Sequence, residues 1–136
     1  MDNELVEAAL DVRAYAHAPY SNYAVGAAIR TADGTIHVGC NVENAAYPEG
    51  WCAETSALAG MITSVEKGPG REIEIVCVVA DKIDGRLVTP CGGCRQRLAE
   101  FGRPDAIVLA VAPDGDQKAY RLGDLLPDAF DLDDEQ

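Results

Sequence analysis

Leu5, Ala9, Val12 and Ala16 recur three or four residues apart, with acidic residues near the start, and this spacing predicts an amphipathic helix over 4–16 that ends before Pro19. The next stretch, YAVGAAIRTADGTIHVGC, changes to a β pattern. It reads as two strands joined by a two-residue hairpin turn at Asp33-Gly34. NVENAAYPEG is rich in turn-forming residues and predicts a loop, and the Ala-, Leu- and Met-rich run 51–65 predicts a second helix that stops before GPG. REIEIVCVVA is apolar and β-branched enough for a central, buried strand. After a loop through DGRLVTP, Cys94, Leu98 and Phe101 stripe a third helix that Gly102 and Pro104 end. DAIVLAVA predicts another buried strand, 119–122 a short strand, and 123–126 a short helix. The order is α-β-β-α-β-α-β-β-α. A hairpin followed by αβαβ implies an α/β fold with a mixed sheet and helices on its faces.

Length adds that 1–136 form a single domain, with an acidic tail over about 131–136. So small a domain buries a shallow core, and a dry active site would borrow a wall from neighbouring subunits. The net charge of −12, from 23 Asp and Glu against 11 Lys and Arg, repels phosphate backbones and speaks against nucleic acid as a partner. No apolar run approaches the ~20 residues that span a bilayer, so no membrane partner is expected. The start lacks the pattern of a signal peptide, and five cysteines without an export signal read as thiols and metal ligands in the cytoplasm.

Two motifs carry candidate chemistry: Cys52-Ala53-Glu54 and Pro90-Cys91-Gly92-Gly93-Cys94, each at the start of a predicted helix. Three cysteines are one short of a closed structural zinc site and suit a catalytic one, in which the fourth position stays open. Helix N-termini lower thiolate pKa values and offset the negative sulfurs. Glu54 follows Cys52 by two residues, beside the metal without being forced to ligate it, and a carboxylate so placed can shuttle protons. The pair of motifs matches the general plan of zinc deaminases. Other readings stay open on the residues alone. Cys40 is a possible fourth ligand of a structural site, Cys91 and Cys94 a possible redox dithiol, and Cys52, Cys91 and Cys94 together a possible zinc clip in an interaction module. Cys77 reads as core, His17 and His37 as surface or capping residues, and Trp51 as locally packed.

PYSNYAVGAAI, GCNVENAAYPEGWCAE, TPCGGCRQ and LLPDAF together, over about 5–130, resemble the small homotetrameric zinc-dependent cytidine deaminases. The resemblance implies a three-layer α/β/α sandwich with a five-stranded mixed sheet, and a homotetramer with shared active sites. It implies Zn²⁺ on Cys52, Cys91 and Cys94, Glu54 as proton shuttle, and deamination of cytidine and deoxycytidine. By the same resemblance Asn41 and Glu43 bind the ribose 3′-hydroxyl, Tyr23 packs against the nucleoside, and the Ala53 N–H contacts the base carbonyl. Phe130 closes a neighbouring subunit's pocket, with Ala45 or Tyr47 from another chain. Thr55 stands where many relatives carry an Arg that hydrogen-bonds the thiolates, which leaves Arg95 as a candidate compensating cation. A blasticidin-type deaminase shares CAE and PCxxC, and the NVEN segment favours a nucleoside over it.

Overall fold

A computed structural model describes residues 2–132. The predicted acidic tail lies, beyond Leu132, outside the described residues. The elements are α1 (Asn3–Arg13), β1 (Val25–Thr31), β2 (Ile36–Cys40), α2 (Ala53–Ser64), β3 (Ile73–Ala80), α3 (Gly92–Phe101), β4 (Gly102–Val111), β5 (Gln117–Arg121) and α4 (Leu122–Leu125). They form a three-layer α/β sandwich. Its five-stranded sheet runs in the order β2-β1-β3-β4-β5, with β3 and β4 parallel and the other pairs antiparallel.

The period-2 alternation of the strands divides the core between the two faces. Ala28, Cys77, Val79 and Leu109 point to the face that α1 covers with Leu5 and Ala9. Ala27, Ile29, Val76, Val78 and Val108 point to the other, which α2, α3 and α4 cover with Ala57, Met61, Leu98 and Leu122. The helices that carry both cysteine motifs therefore share one face of the sheet.

Local chemistry sets where the elements end. The Asp2 carboxylate accepts from the Leu5 N–H at 3.1 Å and caps α1. That helix stops at Arg13, three residues short of the expected end. Ala14, Tyr15 and Ala16 make tighter i→i−3 bonds, and the His17 N–H leaves for the Asn41 carbonyl at 3.0 Å. The hairpin turn holds three residues, 32–34, rather than two. Thr31 N–H pairs with Thr35 O at 3.0 Å, Gly34 takes φ +88°, and the Asp33 carboxylate accepts from Thr31 and Thr35. Gly102 both ends α3 and opens β4, so the expected break at Gly102 and Pro104 is a strand bulge instead. Ile73 pairs with Gly102 and Ile75 with Ile107, which leaves 103–106 opposite Glu74 alone. In that bulge Pro104 has no ladder donor to supply. The last strand and helix begin two residues and one residue earlier than expected.

His37 is 7 % exposed on the α2 face of β2, not a surface residue, and its Nε2 has no hydrogen-bond partner among the described residues. Its place follows from register, because every second residue of β2 points inward.

Candidate active site

Cys52 and Cys91 occupy the same position on two helices. Each is the extended residue before the first turn, Cys52 before α2 and Cys91 before α3, and Cys94 lies in the first turn of α3. Both helices rest on the same sheet face with their starts adjacent, so residues 39 positions apart in the chain meet. The Sγ atoms of Cys52, Cys91 and Cys94 all lie within 4.8 Å of one another. Thiolates on one tetrahedral zinc, with Zn–S near ~2.3 Å, stand about 3.8 Å apart, so this donor set fits that metal with small adjustments. Cys94 is buried, Cys52 half-buried and Cys91 exposed. One side of the cluster therefore stays open, as a catalytic site requires.

A thiol hydrogen bond from Cys94 holds the Cys52 pKa below its ordinary value, while the same bond, reinforced by burial, pushes Cys94 up. Neither cap sulfur accepts a hydrogen bond from its own helix backbone. The helix ends therefore help through their dipoles rather than by direct capping. Cys40 is not part of the cluster, and Cys77 lies in the core, where burial pushes its thiol up to about 12.

Cys52 and Cys91 line a cavity of about 350 Å³ that also includes Ala53, Glu54, Asn41 and Glu43 in its lining. Glu54, in the first turn of α2, is only 4 % exposed. Burial raises its carboxyl pKa, against a smaller lowering by its own backbone amide and by Cys94. Also in the lining, Asn41 is fixed by the backbone. Its Oδ1 accepts from Val25 N–H at 2.9 Å and its Nδ2 donates to Tyr23 O at 2.8 Å. Glu43 accepts from the N–H groups of Tyr20 and Ser21 at 3.0 and 3.2 Å and from the Ser21 hydroxyl. That hydroxyl, ahead of the backbone donors, holds its carboxyl below the usual carboxylate range. Asn41 and Glu43 thus meet at the cavity because the chain after β2 folds back in short bridges, Val42 pairing with both His17 and Trp51.

Other expected residues fall elsewhere. Tyr23 is not in the cavity lining; its hydroxyl donates to Asp81 O at 2.5 Å. Phe130 is 70 % exposed and outside the cavity lining, and its carbonyl accepts from the Gln96 amide of α3 at 3.0 Å. Arg95 does not reach the sulfurs. Its guanidinium donates to Pro90 O, Leu125 O and Thr89 Oγ1 at 2.7–2.8 Å, tying the PCGGC loop to α4. Thr55 instead lies beside the cluster, its Oγ1 3.7 Å from Cys94 Sγ.

Six lining residues went unnoticed in the sequence: Val25, Val42, Gly50, Val78, Val88 and Thr89. Val25 begins β1 and Val78 lies within β3, strands that read only as core, and no local pattern distinguishes a cavity wall from a core wall. Trp51 lines the cavity with Tyr47, and both are exposed. Its place directly before Cys52 was the available signal.

Comparison with known proteins agrees with this geometry. Residues 1–110 match the family model described as the cytidine and deoxycytidylate deaminase zinc-binding region. The chain is 41% identical over 126 residues to a cytidine deaminase of Mycobacterium tuberculosis, a match covering 93% of this chain and 86% of that one. It is 41% identical over 135 residues to a cytidine deaminase of Sporosarcina psychrophila, covering 98% and 95%. The crystal structure of cytidine deaminase from Burkholderia pseudomallei superposes with a TM-score of 0.87 at 42% identity, covering 96% of this chain and 99% of that one.

Proposed function

The chain belongs to the family of zinc-binding cytidine and deoxycytidylate deaminases, and we propose that it hydrolyses free cytidine and deoxycytidine to uridine and deoxyuridine with release of ammonia. The observation that carries this reading is one cavity lined by Cys52 and Cys91 of the converging sulfur cluster, by the buried carboxyl group of Glu54, and by Asn41 and Glu43. The cofactor is zinc, held by Cys52, Cys91 and Cys94. When bound it supplies the Lewis acidity that makes water nucleophilic near neutral pH.

Everything else falls to the chain itself. Glu54 takes a proton from the attacking water, places it on ring N3, and delivers a proton to the exocyclic nitrogen as that group leaves C4. Its burial keeps bulk solvent from competing for those protons. The Ala53 N–H, at the start of α2 where among the described residues no cap side chain takes it, donates to the base carbonyl oxygen. Asn41 keeps one amide hydrogen and one lone pair after its backbone bonds, and Glu43 keeps lone pairs on Oε2. These groups receive the ribose 3′-hydroxyl. Tyr23, whose carbonyl holds the Asn41 amide, backs that part of the site.

The working form is a homotetramer. Phe130 is exposed and outside the lining of its own cavity, which fits a role in closing a neighbour's site; Ala45 or Tyr47 of another chain completes the wall. The five cysteines form no disulfide, and a thiolate site belongs in a reducing cytoplasm. Among the described residues no helix is long and apolar enough to cross a membrane.

The test is loss of the substrate's ultraviolet absorption with purified protein and cytidine, deoxycytidine, cytosine, adenosine or blasticidin S. Turnover of the first two alone is the expected result. Turnover of blasticidin S with neither nucleoside touched would replace this reading by the blasticidin-type one.

A further inference from the structure

Cys94 differs from the other two ligands in being shut off from solvent. Its relative exposure is 0 %, whereas Cys52 and Cys91 are partly open. Water can hydrogen-bond the sulfurs of Cys52 and Cys91 but not that of Cys94. A buried thiolate needs a protein donor in water's place, because an unpaired buried charge is costly. The cation nearest in sequence does not provide it, since Arg95 spends its guanidinium on Pro90 O, Leu125 O and Thr89 Oγ1.

Thr55 does. It sits in the first turn of α2, one residue after Glu54, with its hydroxyl 3.7 Å from Cys94 Sγ, within reach of an O–H···S hydrogen bond. Among the described residues that hydroxyl has no other partner. Metal binding decides the direction of the bond. Cys94 ligates as a thiolate with no proton to give, so only the threonine hydroxyl can donate.

We propose that Thr55 is a positioning residue for the metal centre. Its hydroxyl donates to the Cys94 sulfur, fixes that ligand across the α2–α3 contact, and does so without adding positive charge. The inference rests on the zinc-site reading above. Partners of this kind orient ligands and tune the metal, and their removal typically weakens metal binding about 10–100-fold. A hydrogen bond also lowers the energy of the sulfur lone pairs, so its loss moves ligand-to-metal charge transfer to longer wavelength.

The experiment compares Thr55→Val, which keeps the shape and removes the hydroxyl, with Thr55→Ser, which keeps the hydroxyl; Thr55→Ala replaces the valine variant if that one does not fold. Zinc affinity is measured by competition with a chelating dye, and the Co²⁺-loaded proteins give the sulfur-to-cobalt absorption band. The expected result is zinc binding weakened roughly 10–100-fold in the valine or alanine variant, with its cobalt band shifted to longer wavelength. The serine variant should match the parent in both. A hydroxyl-free variant with the parent's affinity and spectrum would overturn the role of Thr55 while leaving the zinc site standing. A parent protein that binds no zinc would overturn both.

Discussion

Gly39→Ala tests whether the packing of β2 against α2 sets the geometry of the site. A Cβ built on Gly39 would lie 2.3 Å from Ala57 N, 2.7 Å from Ala53 O and 2.8 Å from Ser56 C. All three are backbone atoms of α2, so no side-chain rotation relieves the overlap. Restoring van der Waals separation requires a retreat of roughly 1 Å by that helix. Ala53 opens α2, with Cys52 immediately before it and Glu54 after it. The retreat therefore carries one sulfur and the carboxylate away from Cys91 and Cys94, which are held separately on α3. Overpacking of this kind costs about 1–3 kcal/mol, and rigid backbone on the other side puts this case at about 3. For a domain of this size that is a fall in Tm of roughly 10 °C. A misplacement near 1 Å can also cost about 100-fold in turnover. The assay is thermal unfolding at fixed free zinc, with zinc content and kcat from the same samples. Gly60→Ala in the same helix is the control. A Cβ there meets nothing within 4 Å, so it should be neutral or stabilise by up to about 1 kcal/mol. A Gly39→Ala protein with the parent's Tm and kcat would refute the idea that this contact sets the site.

Two further outcomes are expected. Glu43→Gln replaces an acceptor-only group facing three donors with one carrying its own N–H groups, so the Tyr20–Ser21 segment should loosen. Hydrogen exchange at those two amides should rise, and kcat/KM for cytidine should fall by roughly tenfold or more, the usual scale for a substrate hydrogen bond to a charged group; unchanged values would remove Glu43 from the site. Cys77, with its pKa pushed up to about 12 by burial, should resist a thiol reagent at neutral pH in metal-free native protein while Cys91 reacts. Because the folded-state pKa lies above the ordinary value of 9.0, this group's contribution to stability is complete below pH 9 and is lost as pH rises towards 12. Urea titrations showing no such loss would contradict that assignment.

The elements that could be read from the chain were those whose signal is local. Helical spacing in α1, the β-branched run of β3 and the paired CAE and PCGGC motifs report on short-range geometry, and all three are present, with α1 short only at its end. What escaped depends on partners distant in sequence. α1 ends early because His17 bonds to the Asn41 carbonyl. Pro104 lies in a strand because β3 leaves a bulge open for it. His37 is inward because β2 takes its register from β1. At the site, residue types suggested the metal ligands, but charge counting suggested Arg95 as the neighbour of the sulfurs. Its guanidinium is drawn off by three acceptors, and the smaller, neutral Thr55 makes the contact. Trp51 reads as local packing in the sequence and stands on the cavity wall because Val42 pairs with it.

The central claim is that one buried carboxyl group beside the three sulfurs moves the protons of the reaction. Glu54→Gln tests it most directly, since it preserves size, helix position and metal ligands while removing the exchangeable proton. General acid–base catalysis contributes about 10²–10⁴-fold, and here one residue serves several transfers, so kcat for cytidine should fall by that upper range or more. Zinc content and Tm, measured on the same preparation, should stay at parent values. Cytidine should bind as well as before, because the interaction removed belongs mainly to the transition state. A Glu54→Gln variant that is folded, zinc-loaded and within about tenfold of the parent's kcat would assign the proton work to another group.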